Sequence, residues 1–151
     1  METTGTEIID GYRLRQHLQT GQTSQVYEVV EIQSNRHFAM KMLLPETARD
    51  PEHRKLLLHE ASVGKELSHP NIIRIYKVKV TGATPYFVME FFPSGSLRAR
   101  LLQKDTAFIH QNLHHILKQA ATGLAFMNAS GWVHRDVKPD NLLVNASAEL
   151  R

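Results

Sequence analysis

The spacing of apolar side chains divides the chain into two halves with different periods. In the first half, apolar and polar residues alternate in short runs, a pattern typical of strands with one buried face. Such runs cover residues 12–18, 26–30, 37–44, 72–81 and 85–91. They predict five antiparallel strands, with turns at the glycine- and serine-containing segments that separate the runs.

One predicted helix interrupts the strands. Asp50-Pro51-Glu52 is typical of a helix start, because it combines a capping side chain, a proline at the first helical position and an acid in the first turn. The helix is predicted to run to about residue 67. Its apolar stripe comprises Leu56, Leu57, Val63 and Leu67.

The second half has a helical period. A short helix is predicted over residues 96–103, and a longer one from about residue 112 to residues 128–131. The long helix has one apolar face, formed by Leu113, Ile116, Leu117, Ala120, Leu124 and Met127. A short buried strand follows at residues 142–144. Residues 1–10 are polar and are expected to be a flexible N-terminus. The strands of the first half and the helices of the second half predict an α+β protein.

Two charged residues occupy apolar positions of this pattern. Lys41 lies within the apolar run of the third strand, and Glu60 lies in the apolar stripe of the helix that follows. Because an unpaired charge is costly to bury, each residue requires a partner. The sequence therefore predicts a Lys41–Glu60 ion pair, although a lysine that reaches solvent from a strand edge is the alternative.

Composition excludes several other classes of protein. The 151-residue chain is 42% hydrophobic and 22% charged, which is ordinary for a globular domain. A net charge of +3 with interleaved signs gives no reason to expect nucleic acid as a partner. There are no cysteines, so thiol catalysis and cysteine-ligated zinc are excluded. We expect no membrane-spanning segment in this chain and a cytoplasmic location, with anchoring of a longer protein left open.

The strongest chemical signal is the segment His134-Arg135-Asp136-Val137-Lys138-Pro139-Asp140-Asn141. Asp136 can accept a proton, Lys138 can neutralise developing negative charge, and Asn141 can offer an amide oxygen to a hard cation. These three groups suit the transfer of a phosphoryl group from a nucleotide to a hydroxyl. The alternative interpretation of the segment is a charged surface turn.

The order H-R-D-x-K-x-x-N resembles the catalytic loop of eukaryotic-type protein serine/threonine kinases. Phe38-Ala39-Met40-Lys41 is similar in type to the V-A-I-K motif of that family, and Glu60 precedes His69-Pro70-Asn71 by the usual distance. The resemblance implies the kinase fold, with the small lobe and hinge over residues 11–92 and the start of the large lobe over residues 93–151. The metal-binding Asp-Phe-Gly motif of the family would lie beyond this chain, which we therefore expect to be an N-terminal portion of the catalytic domain.

The resemblance implies roles for particular residues. Lys41 would hold the α- and β-phosphates of ATP, Glu60 would orient Lys41, and Asp136 and Lys138 would serve phosphoryl transfer. Asn141 would bind Mg²⁺. The nucleotide would contact a glycine-rich-type loop that begins at Leu18, the walls of the adenine pocket, and the hinge. These positions are Leu18, Gly21, Ser24, Val26, Ala39, Met89, Glu90, Phe92 and Leu143.

Three positions depart from the family pattern. Gln19 and Ser24 stand where the loop G-x-G-x-x-G has its first and third glycines, and Gly64 stands where kinases usually have a large apolar residue. We expect a kinase that transfers the γ-phosphate of Mg-ATP to serine or threonine hydroxyls of protein substrates. The alternatives are a nucleotide-binding pseudokinase or scaffold, and a small-molecule phosphotransferase of the antibiotic-kinase type.

Overall fold

The protein is described by a computed structural model over residues 7–132, 137 and 139–151. Short 3-10 turns occupy Thr47–Arg49 and Pro139–Asn141. The strands and helices, in chain order, are β1 (Ile8–Ile9), β2 (Tyr12–Thr20), β3 (Ser24–Glu31), β4 (His37–Leu43), α1 (Pro51–Glu66), β5 (Ile75–Lys79), β6 (Tyr86–Glu90), β7 (Gly95–Ser96), α2 (Leu97–Leu102), α3 (Thr106–Ala129) and β8 (Leu143–Val144).

Six of these strands form one antiparallel sheet in the order β1-β2-β3-β4-β6-β5. The predicted α+β class is confirmed, but the sheet has six strands where five were expected. The additional strand is β1, in which Ile8 pairs with Arg13 and Ile9 pairs with Tyr12.

Residues 8–10, which were predicted to belong to a flexible N-terminus, make contacts with residues distant in the sequence. The Lys79 ammonium and the Tyr86 hydroxyl both donate to Asp10 Oδ2, each at 2.8 Å. The hydrogen bond from Lys79, with a smaller contribution from Tyr86, lowers the pKa of the Asp10 carboxyl. Burial, followed by the bond to Asp10, raises the pKa of the Tyr86 hydroxyl well above its ordinary range. Both shifts favour the same contact, between an ionised Asp10 and a protonated Tyr86.

The two faces of the sheet have separate cores, as the alternation along β4 predicts. Phe38, Met40 and Met42 face one core, together with Tyr12, Leu14, Val29, Tyr86 and Val88. Leu43 faces the other core, where Phe87 of β6 packs with Leu57 and Ala61 of α1. Helix α1 therefore lies on the face of the sheet that also contains the odd-numbered residues of β4.

The buried stripe of α1 is narrower than predicted. Leu57 is 3% exposed and Ala61 is fully buried, but Leu56 is 63% exposed. Successive helical residues point about 100° apart, so a stripe centred on Leu57 and Ala61 leaves Leu56 on its flank. The prediction that Leu56 belongs to the buried face is wrong.

Helix α3 begins at Thr106, several residues before the predicted start near residue 112. Phe108, in the added turn, packs against a cluster of buried residues centred on Ile116. The earlier start has a signal in the sequence that the prediction did not use, because Asp105 occupies the N-cap position. The other buried members of this cluster are Leu97, Val144 and Leu150. Leu113 and Leu117, predicted for the same apolar face, are 42% and 54% exposed.

The chain divides into two compact units. One extends to Glu66 and includes Arg74–Phe91, and the other comprises Leu67–Ile73 and Phe92–Arg151. In the second unit, β7 and β8 form a two-stranded antiparallel ladder. Among the described residues, no helix combines the length and apolar character needed to cross a bilayer.

Candidate active site

An ion pair joins Lys41 of β4 to Glu60 of α1. The Lys41 ammonium donates to both carboxylate oxygens of Glu60, at 2.8 Å to Oε1 and 3.0 Å to Oε2. The ammonium also lies 5.8 Å from the centre of the Phe87 ring. The ion pair predicted from the two misplaced charges is therefore present.

The pair is more exposed than its place in two apolar patterns suggests. The Lys41 side chain is 27% exposed and the Glu60 side chain is 50% exposed. An ion pair with this much solvent contact contributes only about 0.2–1 kcal/mol to stability. It follows that the packing of α1 on the sheet determines where Glu60 lies, and that the ion pair does not hold the helix in place.

Strand register places further candidate residues on the same face as Lys41. Val26 of β3 and Phe87 of β6 are the cross-strand partners of Lys41. Met89 of β6 is the partner of Ala39, which is 4% exposed. Residues directly opposite one another in an antiparallel pair project to the same side of the sheet. Val26, Ala39, Lys41 and Met89 therefore share the face on which α1 packs.

The candidate phosphate loop is a tight turn between β2 and β3. Gly21 donates its backbone N–H to the Ser24 carbonyl at 2.8 Å, so that amide is used within the turn. Ser24 begins β3 and pairs with Leu43. Gln19 pairs with Val26 across the hairpin, and Leu18 is 42% exposed.

The hinge candidates fall in different units. Glu90 ends β6, and its backbone N–H donates to the Arg74 carbonyl at 2.7 Å. Phe92 belongs to the second unit, where the Arg151 guanidinium lies 4.8 Å from the centre of its ring. Leu143 also belongs to this unit, and it exchanges two backbone hydrogen bonds with Arg151, at 3.0 and 2.9 Å.

Part of the predicted catalytic loop, residues 134–141, lies among the described residues. Asn141 ends the 3-10 turn Pro139–Asn141 and is exposed. Val137 is 52% exposed. Asp136 and Lys138, predicted to serve phosphoryl transfer, lie outside the described residues.

Comparison with known families identifies the family of this chain. A family model described as "Protein kinase domain" matches residues 12–151. This chain is a protein kinase family member. The kinase interpretation of the loop motif is thereby confirmed at the level of the family.

Curated relatives of this kinase chain include bacterial serine/threonine kinases. A probable serine/threonine-protein kinase of Clostridium acetobutylicum is 31% identical over 93% of this chain and 21% of its own length. The serine/threonine-protein kinase PknB of Mycobacterium leprae is 32% identical over 96% of this chain and 24% of its own length. The chain therefore spans about a quarter or less of the length of these relatives.

A solved structure has the same fold. The PknI kinase domain of Mycobacterium tuberculosis superposes with a TM-score of 0.78 and 22% sequence identity. The match covers 99% of this chain and 61% of that chain.

The sequence analysis did not identify two apolar residues that pack near the Lys41–Glu60 ion pair. Phe87 lies beneath the Lys41 ammonium, and Ile75 of β5 packs against the same cluster as Phe87 and Met89. Both residues lie in predicted strands, so the only sequence signal for them was the alternation of apolar and polar positions along each strand. Alternation identifies the face of a strand but not the residue that it meets on a helix distant in the sequence.

Proposed function

We propose that this chain forms part of an ATP-dependent protein serine/threonine kinase. The reaction is transfer of the γ-phosphate of Mg-ATP to serine or threonine hydroxyls of protein substrates. Family membership, the curated relatives named as serine/threonine kinases, and the sequence of residues 134–141 support this reaction.

The single observation that carries the proposal is the Lys41–Glu60 pair. Its contacts of 2.8 and 3.0 Å hold the ammonium on the face of the sheet shared with Val26 and Ala39. An ammonium fixed in this way is oriented before a polyphosphate arrives, which lowers the cost of binding. Lys41 is proposed to hold the α- and β-phosphates, and Glu60 to orient Lys41.

The remaining roles are assigned residue by residue. Asp136 accepts the proton of the substrate hydroxyl, and Lys138 neutralises charge on the transferring group. Gly21 and Ser24 are proposed for the phosphates. Contacts to the adenine come from the apolar side chains and backbone groups of Leu18, Val26, Ala39, Met89, Glu90, Phe92 and Leu143.

One proposed Mg²⁺ ligand, Asn141, lies in the described part of the chain. The Asn141 amide oxygen is a ligand of the type that Mg²⁺ accepts, and this ion usually completes its shell with substrate phosphates, carboxylates and water. Among the described residues, no group of three or more histidine, aspartate or glutamate side chains could hold a metal. Asn141 is thus proposed as one ligand of several, and the ion supplies neutralisation of the phosphate charge.

The test is phosphate transfer from Mg-ATP to serine/threonine peptide libraries by the full protein. Asp136→Asn and Lys41→Met should each lower the rate about 100-fold or more, as expected when a group that stabilises the transition state is lost. Lys55→Met is the matched control, because Lys55 is exposed on α1. Transfer that survives Asp136→Asn would contradict the proposal.

A pseudokinase or scaffold is the second candidate. It is favoured by Gln19 at the first loop position and by use of the Gly21 amide within the turn. A pseudokinase of this type binds ATP with equal affinity with and without Mg²⁺ and transfers no phosphate. A kinase binds Mg-ATP more tightly than free ATP, so titration calorimetry with and without Mg²⁺ separates the two.

A further inference from the structure

The turn between β2 and β3 is tied to the segment that follows β4. The Leu44 backbone N–H donates to the Thr23 carbonyl at 3.0 Å, next to the paired residues Ser24 and Leu43. The Thr47 hydroxyl donates to the same carbonyl at 2.6 Å, across 24 positions of the chain. A carbonyl oxygen has two lone pairs, so the Thr23 oxygen is fully used by one backbone donor and one side-chain donor.

The Thr47 hydroxyl has two acceptors within reach and one hydrogen to donate. Its second acceptor is the Leu44 carbonyl, at 3.0 Å. That carbonyl already receives the Ala48 backbone N–H at 2.8 Å, so it has a donor without Thr47. The shorter distance and the satisfied alternative both assign the hydroxyl hydrogen to Thr23. The Thr47 side chain therefore joins the β2–β3 turn to the 3-10 turn that precedes α1.

This turn is the candidate phosphate loop, in which Gly21 is the only one of the three family glycines that is present. The Gly21 N–H is used within the turn, on the Ser24 carbonyl. The Thr23 carbonyl and the Ser24 N–H belong to one planar peptide unit and point in opposite directions. A bond that fixes the Thr23 carbonyl consequently fixes the direction of the Ser24 N–H, in a residue proposed for the phosphates.

We propose that Thr47 is a positioning residue for the candidate phosphate loop, and that its hydroxyl holds the loop in place before the nucleotide binds. The consequence for nucleotide binding rests on the proposed function. A loop that is held in advance loses less conformational freedom when the phosphates arrive, so the affinity for the nucleotide depends on this bond. The same loop contacts form in the bound substrate and in the transition state. Loss of the bond should therefore raise the KM for Mg-ATP and leave kcat within about twofold.

The bond itself is tested by amide hydrogen exchange in the full protein. Thr47→Val keeps the branched shape of the side chain and removes the hydroxyl. The N–H groups of Gly21 and Leu44 should then exchange about 2- to 10-fold faster, the factor expected when one hydrogen bond is lost. Thr47→Ala should act in the same direction, and it decides the question if Thr47→Val does not fold. Thr47→Ser keeps the hydroxyl and should leave both exchange rates within about twofold of their original values.

The effect on the nucleotide is tested by comparing Mg-ATP with adenosine, which has no phosphates. Thr47→Val should weaken the binding of Mg-ATP about 2- to 10-fold and leave the binding of adenosine unchanged. The KM for Mg-ATP should rise by the same factor in the phosphate-transfer assay. A purely structural role would instead reduce the fraction of active protein, which lowers kcat and leaves KM unchanged. Thr81→Val is the matched control, because Thr81 is exposed in the connection between β5 and β6.

Unchanged exchange at Gly21 and Leu44 in the Thr47→Val and Thr47→Ala proteins would overturn the proposal. Equal weakening of Mg-ATP and adenosine would overturn it as well, and so would a Thr47→Ser protein that behaves like Thr47→Val. If the unsubstituted protein binds Mg-ATP but transfers no phosphate, the proposed function fails, while the binding comparison still tests the role of Thr47. If it does not bind Mg-ATP, the proposed function again fails, and amide exchange still tests whether Thr47 holds the loop.

Discussion

Helices α1 and α3 are both anchored at a glycine, but different kinds of atom face the two glycines. A Cβ atom at Gly64 of α1 would meet the end of the Ile75 side chain. A Cβ atom at Gly123 of α3 would lie 3.3 Å from the backbone oxygen of Asn71 and 3.4 Å from its Cβ. A side chain can change rotamer, whereas a backbone carbonyl moves only with its whole segment. The position of α1 is therefore adjustable by one side chain, and the position of α3 is not.

A polar network fixes the surroundings of α3. The Asn71 amide donates to the Leu150 carbonyl at 3.1 Å and to Gln119 Oε1 at 3.2 Å. Gln119 in turn donates to the Ala148 carbonyl at 2.7 Å and accepts from the Leu150 N–H at 3.0 Å. Because breaking one member leaves its partners unsatisfied, such a network specifies one arrangement. The polar contact that links α1 to the sheet is the partly exposed Lys41–Glu60 pair. This ion pair constrains the position of α1 less strongly than the network constrains α3.

The largest effect should come from the apolar anchor of α3. Ile116 is fully buried, and Leu117, the next residue, is 54% exposed. Ile116→Ala should lower the free energy of unfolding by about 2–5 kcal/mol, because it leaves a cavity among Leu97, Val144 and Leu150. Leu117→Ala is the matched control and should change it by no more than about 0.5 kcal/mol. If urea unfolding gave the same loss of unfolding free energy for Ile116→Ala and Leu117→Ala, α3 would pack on a different face.

The second effect tests the contrast between the two glycines. Gly123→Ala should destabilise the protein by roughly 1 kcal/mol, since overpacking outweighs the gain in helix propensity. Ile72→Val should not rescue it, because the nearest obstruction is the Asn71 carbonyl. Thr122→Ala, at an exposed position of α3, serves as the control. Rescue by Ile72→Val would break the comparison, since it would make the contact at Gly123 adjustable like that at Gly64.

The smallest effect concerns the exposed edge of the first unit. Asp10 has a lowered pKa, so its bonds to Lys79 and Tyr86 stabilise the fold above the ordinary carboxyl value of about 4. That contribution is lost as the pH falls through the depressed pKa of Asp10. Asp10→Asn should therefore lower the urea midpoint at about pH 6, and this loss should shrink as the pH falls below about 4.

Tyr86→Phe is the companion variant for this edge, because it removes one donor to Asp10 and leaves Lys79 in place. Tyr86→Phe should lower the urea midpoint at about pH 6 by a smaller amount than Asp10→Asn does. If the urea midpoint of the Asp10→Asn protein depended on pH in the same way as that of the unsubstituted protein, Asp10 would not stabilise β1.

Of the candidate site, the Lys41–Glu60 pair could be predicted from local sequence. Lys41 and Glu60 were recognisable because each is a charged residue at an apolar position of its own strand or helix. Each residue also supplied the oppositely charged partner that the other one required. The contact between Gly64 and Ile75 was not predictable, although Gly64 was noted as a departure from the kinase pattern. Neither periodicity nor propensity states which side chain fills the space beside a glycine on a helix distant in the sequence.

The amino-acid sequence by itself determined the family, the antiparallel strands, the two main helices and the charged pair that links β4 to α1. It did so because these features depend on local periodicity and on short motifs. Only the tertiary structure decided that Leu56, Leu113 and Leu117 are exposed, that Asp10 ties β1 to the sheet, and that Ile75 fills the space beside Gly64. These outcomes depend on which distant surfaces meet, and close packing settles them atom by atom.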